Sequence, residues 1–378
     1  MRKFLGCLVF CFISGSLTFA ADAAEVMSED MLLDNNVEVI NSAITDGDTK
    51  DSDKTSGFAF WNFITKPLSL FTDENTQTET TGPDGKKETY VEKNIRLANE
   101  GKLEAQMNLG YMYLYGVNGV EADYEQALKY YTMAAAQKDP IALNNLGSLY
   151  FSGIGTKADV QKAAELFSEA AQNGNDNAAV NLAFIYLVGG AKDEVRNKKA
   201  VNLFKQAADA GNNIAKFMLG YAYYKGFAVE QNYQEAYKLI KAAAGGDSQI
   251  DEAQMVLGEM LIEGRGTVQN FQDGVNSLRA AVSQGNMEAF LVVAKIYNDG
   301  KLAPRNPVLA HALYNIAASR NIEGAAQMRE AIAQNLKREH LTMAQKQAQQ
   351  FKDNPSELTK YIRQTFGPNM RDYIHNNM

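Results

Sequence analysis

From Glu104 onward, small and apolar residues recur in blocks of near-constant length. Leu-Gly or a close variant stands at Leu109-Gly110, Leu146-Gly147, Leu182-Ala183, Leu219-Gly220, Leu257-Gly258 and Val293-Ala294, in steps of 37, 36, 37, 38 and 36 residues. An alanine precedes each by four residues: Ala105, Ala142, Ala178, Ala215, Ala253 and Ala289. That interval keeps two side chains on one helix face, so each block predicts a first helix, here termed A. Ala-Ala pairs later in each block, from Ala134-Ala135 to Ala317-Ala318, mark a second helix, B. A helix pair cannot bury its apolar face alone, so six in series must stack into one core.

The residues between the helices supply stops and starts. Gly116, Gly153, Gly189, Gly226, Gly264 and Gly300 follow the A helices, and Gly174, Gly211 and Gly285 follow B helices, where a left-handed stop is wanted. Asp123, Asp159, Asn197, Asn232, Asn270 and Asn306 stand where the B helices need an N-cap. Asp123 with Gln126, and Asn232 with Glu235, have capping-box spacing, and Pro307 suits a first helical position. The alanines and the Leu-Gly glycine let neighbouring helices approach closely.

The pattern A-x-x-x-L-G-x-x-Y-x-x-G, then a cap, then A-A-x-x-G, resembles the Sel1-like repeat, a relative of the tetratricopeptide repeat. Tyr113, Tyr150, Tyr186, Tyr223 and Tyr297 occupy its tyrosine position, and Leu261 departs from it. The resemblance covers residues 91–340 and implies an all-α, right-handed α-solenoid. It comprises an N-terminal half-repeat (91–103) and six repeats with a following helix (104–340). The layout also resembles exported bacterial members that engage host proteins, of the LpnE type. A cysteine-rich exported branch carries a Cys pair per repeat, which the repeats here lack.

Outside the repeats the pattern changes. Beyond His340, residues 341–351 predict an amphipathic helix. Asn354-Pro355-Ser356-Glu357 then predicts the cap of another, with Leu358, Tyr361 and Ile362 on one side and Gly367-Pro368 ending it. Residues 341–378 are expected to cover the open end of the last repeat. Residues 1–24 read as a secretory signal peptide: Arg2 and Lys3, an apolar run over residues 4–19, then small residues. The run is shorter than the roughly 20 residues a membrane span needs, and the mature chain has no transmembrane segment.

Charge sharpens this division. The chain carries a net charge of −8, but residues 21–90 hold 15 Asp/Glu against 5 Lys, and residues 91–378 hold 30 of each sign. Residues 25–90 are therefore expected to be a solvated, mostly disordered linker. An aromatic island at 58–71 interrupts it, with Phe58, Phe60, Phe63 and the only tryptophan, Trp61. Two readings stand: the island covers an apolar end of the solenoid, or it is a linear motif for a partner or membrane surface.

Candidate chemistry is sparse. The acidic balance argues against nucleic-acid binding. Both cysteines, Cys7 and Cys11, lie in the leader, so no disulfide, thiolate zinc site or cysteine nucleophile is available later. His311, His340 and His375 are too few and too scattered for an imidazole metal site, and His311 is expected to be exposed or hydrogen-bonded. Gly153-Ile154-Gly155 and Gly264-Arg265-Gly266 mimic phosphate loops, but they follow helices at the repeat's own turn. Catalytic, cofactor and metal residues are all read as none.

What remains is a binding surface. Numbering each A helix from its leading alanine, at 100° per residue, positions 1, 5, 8, 9 and 12 share a packed arc; positions 3, 4, 7, 10 and 11 point away. Position 4 carries Asn108, Asn145, Asn181 and Met218; position 7 carries Tyr111, Ser148, Phe184 and Tyr221; position 11 carries Tyr115 and Lys225. On a concave face, the asparagine ladder would bond a peptide backbone and the aromatics would supply contact area. The alternative is that the ladder bonds neighbouring helices. The charged end (Lys225, Glu259, Glu263, Lys295, Asp299) reads as a solvated face. The sequence thus predicts an exported, monomeric, non-enzymatic scaffold binding an extended or helical segment of a partner protein, in host interaction. The alternative is a periplasmic adaptor regulating an envelope enzyme.

Overall fold

The computed structural model describes residues 80–83, 85–187, 193–246 and 249–366, except the side chains of 357, 361 and 364–366. The leader, residues 25–79 with the aromatic island, Gly189, the Tyr361 side chain, Gly367-Pro368 and His375 lie outside that description.

A two-stranded antiparallel hairpin, β1 (Thr80–Thr81) and β2 (Lys87–Glu88), leads into α1 (Tyr90–Asn99). Six A–B pairs follow. They are α2 (Leu103–Tyr115) with α3 (Tyr124–Ala135), α4 (Pro140–Ser152) with α5 (Val160–Gln172), and α6 (Asp176–Leu187) with α7 (Glu194–Asp209). Next come α8 (Asn213–Lys225) with α9 (Tyr233–Ala244), α10 (Asp251–Glu263) with α11 (Phe271–Ser283), and α12 (Met287–Asp299) with α13 (Pro307–Ser319). Three helices follow among the described residues: α14 (Ala325–Ala333), α15 (Arg338–Gln350) and α16 (Glu357–Phe366). Each A helix packs on its own B helix, and each B helix on the next A helix. This is the α-solenoid that the period implies.

The Leu-Gly glycine shows why the pairs sit so close. A Cβ on Gly147 would lie 2.8 Å from the Phe167 ring, and one on Gly258 would lie 2.7 Å from Leu278. Each glycine is a hole into which the B helix inserts a large side chain, so dense packing is gained for the lost helix propensity. The turn from A to B is fixed by a recurring bond from the cap residue's backbone N–H to the carbonyl at the tyrosine position. Asp123 to Tyr113, Asp159 to Tyr150 and Asn306 to Tyr297 each measure 2.8 Å. The glycines after the A helices take φ between 63° and 72°, as a left-handed cap requires. Gly155 and Gly266 press against the backbone carbonyls of Tyr124 and Tyr233, at the start of the preceding unit's B helix. Both glycine pairs are therefore packing turns.

Three sequence expectations need correction. Residues 80–90, assigned to the disordered linker, form the hairpin and the start of α1. Thr89 and Glu92 make a complete capping box, and Arg96 grips the Glu88 carboxylate through Nη2 at 2.8 Å and Nε at 3.1 Å. Asn197 is not a cap: Asp193 accepts from the amides of Val195 and Arg196, so α7 starts earlier and Asn197 is buried inside it. At the other five units the expected Asp or Asn does accept from the helix amides, for example from Gln126 N to Asp123 at 3.0 Å.

The third concerns the C-terminus. Helix α15 packs on α13, at the last repeat. Helix α16 does not: Ile362, 1% exposed, joins the core built from residues 107–261, and its helix is bonded more than 100 residues upstream. Ser356 caps α16 by accepting from the Thr359 amide at 3.1 Å.

Candidate interaction surface

The A helices are buried on nearly every side. In α6, every residue from Ala178 to Ile185 is inaccessible. Asn108, Asn145, Ser148, Asn181, Phe184, Met218 and Tyr221 are all buried, Asn145, Asn181 and Met218 completely. The expectation that these seven side chains face an open groove is overturned. A helical wheel assigns one packed side, whereas an A helix in the stack meets its own B helix, the previous B helix and a neighbouring A helix. Tyr111 and Tyr115 are half-buried, with rings 4.4 Å apart, and burial pushes both phenols upward. Of the expected binding residues, Lys225 alone is exposed. Position 11 opens to solvent in the later repeats, where Glu263 and Asp299 are exposed as well.

The asparagines bond helices to one another. Asn181 Nδ2 donates to Asn144 Oδ1 at 2.9 Å, and Asn108 Nδ2 donates to Asn94 Oδ1 at 3.2 Å. Ser148 returns its hydroxyl to the Asn144 carbonyl at 3.0 Å. The aromatics also turn inward, with Phe184 edge-on to Phe204 at 5.4 Å and Tyr221 stacked with Tyr224 at 6.0 Å. Each of these buried carboxamides is paired through at least one of its two groups, which offsets most of the cost of burying it. Asn144 was missed in the sequence, although an Asn-Asn doublet in an otherwise apolar helix was its signal.

A second asparagine row, also missed, runs along the edge where one repeat passes to the next. Asn175, Asn212 and Asn286 each cap their own A helix and donate to the start of the preceding one. Asn212 reaches Asp176 Oδ2 at 3.0 Å, and Asn286 reaches Asp251 Oδ2 at 3.2 Å. These residues stand three before the leading alanine, so the period itself could have identified them.

That edge carries the chain's own C-terminal segment. Asp353 pairs with Arg320 at 2.7 Å, and the Asn354 amide donates to the Ser283 carbonyl at 2.8 Å. Ser356 Oγ donates to the Gln249 carbonyl at 3.1 Å. Arg363 Nη2 reaches both Asp251 Oδ2 at 2.8 Å and the Gln284 carbonyl at 2.7 Å. The segment thus passes from the end of repeat 6 to repeat 5 and the connection that precedes it, against the direction of the solenoid.

An open cleft of about 690 Å³ lies at the α2–α3 turn, walled by Tyr113, Glu121, Asp123, Tyr124, Glu125 and Gly155. Tyr124 is 41% exposed there. His311, expected exposed or bonded, is buried at 4% exposure with Nδ1 making no hydrogen bond. Burial and the nearby Arg329 lower its pKa, so neutral imidazole is favoured.

The family model described as Sel1 repeat matches residues 103–139, 140–175, 176–212, 213–248, 251–286 and 292–322. Two solved structures share the fold. One is c5321, a protective antigen present in uropathogenic Escherichia coli strains, at 24% identity and TM-score 0.50, over 72% of this chain and 66% of that one. The other is a Sel1 repeat protein from Oxalobacter formigenes, also at 24% identity and TM-score 0.50, over 60% of this chain and 96% of that one. A search of curated proteins returned no match.

Proposed function

Because the chain belongs to the Sel1 repeat family, whose members are in general non-catalytic scaffolds for protein–protein interaction, we propose that it is an exported adaptor. It would bind a partner protein on the solenoid surface and act in bacterial contact with host cells. One observation carries the binding part: the solenoid edge holds an extended segment followed by a helix, residues 351–366, through bonds to side chains and backbone of repeat 6, repeat 5 and the connection before repeat 5. A surface built to hold one such segment is suited to others. Export rests on the charge, core and small-residue order of residues 1–24, and host contact on the layout shared with exported family members.

Photo-cross-linkers placed at exposed Tyr124 and Lys225 in the full chain, within its native cell, test the adaptor role. A defined protein cross-linked at either position supports it; products no different from those of a solvent-facing B-helix control such as Lys162 overturn it. Fractionation tests the context. Protein in the medium or on host cells supports host contact, whereas protein confined to the periplasm transfers the reading to an envelope adaptor.

A further inference from the structure

The surface beneath α16 is built more specifically than a cap requires. Asp251, 2% exposed, receives Asn286 and Arg363 on Oδ2, and Thr359 lies 3.2 Å from its Oδ1. Thr359 is itself fully buried. A hydroxyl has one proton to give, and Gln284 Oε1 at 2.7 Å is its closest acceptor; the Thr359 Oγ1 itself accepts from the Asp251 amide at 3.1 Å. Ile362 enters the core between these polar contacts. Thr359, Ile362 and Arg363 stand at i, i+3 and i+4, on one stripe of a helix.

Two observations mark this as a binding site with an imperfect occupant. Arg363 Nε is buried without a hydrogen bond, so the guanidinium leaves one donor unmet. Before the start of α10, Gln249 is held at φ 35°, in the left-handed region disfavoured for a residue with a Cβ, and its carbonyl accepts from Ser356. The strain falls in the connection spanned by the 38-residue step, the longest of the five. Such strain persists only where surrounding contacts hold it, here at the point where the cap residue of α16 docks.

We propose that repeat 5 and the connection preceding it form a binding site for a helix bearing a hydroxyl at i, a branched apolar residue at i+3 and arginine at i+4. Helix α16 occupies the site in the isolated chain, and a partner helix of the same pattern displaces it. Ten residues are too few for a stable free helix, so a released α16 frays rather than competing as a preformed helix. While tethered, its effective concentration is on the order of millimolar, so a partner must bind more tightly than α16 does. A partner that also satisfies the arginine Nε has that advantage. This deepens the adaptor reading by naming the class of segment bound.

The test uses the full chain and a fluorescent peptide of the sequence of residues 351–366. Anisotropy should show weak binding to the wild-type chain and at least about tenfold tighter binding to Arg363→Ala and Thr359→Val chains, whose own helices hold less firmly. Adding Asp251→Asn to either variant should remove that gain, while circular dichroism shows the helices intact. In the wild-type chain, millimolar peptide should raise hydrogen exchange across residues 357–366 and leave α10 protected; this measurement needs no variant to fold. Equal peptide affinity for wild-type and released chains, or unchanged exchange of α16 under millimolar peptide, overturns the proposal. Either failure dismisses this site alone, since the adaptor role is tested separately by cross-linking at Tyr124 and Lys225.

Discussion

Asn181→Ala separates a groove asparagine from a structural one. The side chain is fully buried, and its Nδ2 donates at 2.9 Å to Asn144 Oδ1, which is equally buried. Losing that donor costs about 1–3 kcal/mol, because the Asn144 oxygen cannot turn to water. The space left adds up to about 1 kcal/mol. One contribution runs the other way: Asn181 Oδ1 makes no hydrogen bond, so its removal relieves roughly 1 kcal/mol of unmet desolvation. The net expectation is about 2 kcal/mol, or a melting temperature lower by roughly 4–8 °C at 2–4 °C per kcal/mol. Thermal unfolding of the full chain followed by circular dichroism reads this directly. The Asn144→Ala and Asn144→Ala/Asn181→Ala chains complete a double-mutant cycle, with a coupling of about 0.5–3 kcal/mol expected for residues in contact. An unchanged melting temperature, or two costs that simply add, would refute the inter-helix rung and restore the open groove.

Other perturbations probe separate parts of the fold. Gly155→Ala should cost more than about 2 kcal/mol, combining φ 70° with a collision against the Tyr124 carbonyl, whereas Gly174→Ala, with φ 90° and open space, should cost only about 1 kcal/mol; urea unfolding ranks the pair. Thr89→Ala removes the capping box that starts α1 and should cost about 0.5–2 kcal/mol, read as faster hydrogen exchange in residues 90–99. His311 should make stability depend on pH: burial and Arg329 hold its folded pKa below the ordinary 6.5, against a smaller opposing pull from Glu330. Just below pH 6.5 the unfolded chain therefore takes up a proton that the folded chain refuses. Stability is then complete above pH 6.5 and declines as pH falls from there towards the folded value. His311→Gln should flatten the melting temperature between pH 7 and 5 relative to wild type, and an identical slope in both chains would contradict the assignment.

The repeat, its count and its turns were legible in the sequence because each rests on local chemistry. Alanine spacing, a glycine that must turn left-handed and an Asp or Asn that must face free amides act within a few residues, and the period repeats them six times. Asn197 failed where a competing cap, Asp193, stood one helical turn earlier and added that turn to α7. The site was less legible. A wheel drawn for one A helix cannot count its neighbours in the stack, and an asparagine looks solvent-facing until a partner such as Asn144 is found for it. Long-range return is harder still: nothing within residues 351–366 specifies that Thr359 and Arg363 will meet Asp251, more than 100 residues upstream. The stacking of successive repeats brings those groups together, because it sets the ends of repeats 5 and 6 beside the returning segment, an arrangement between units that no single unit encodes.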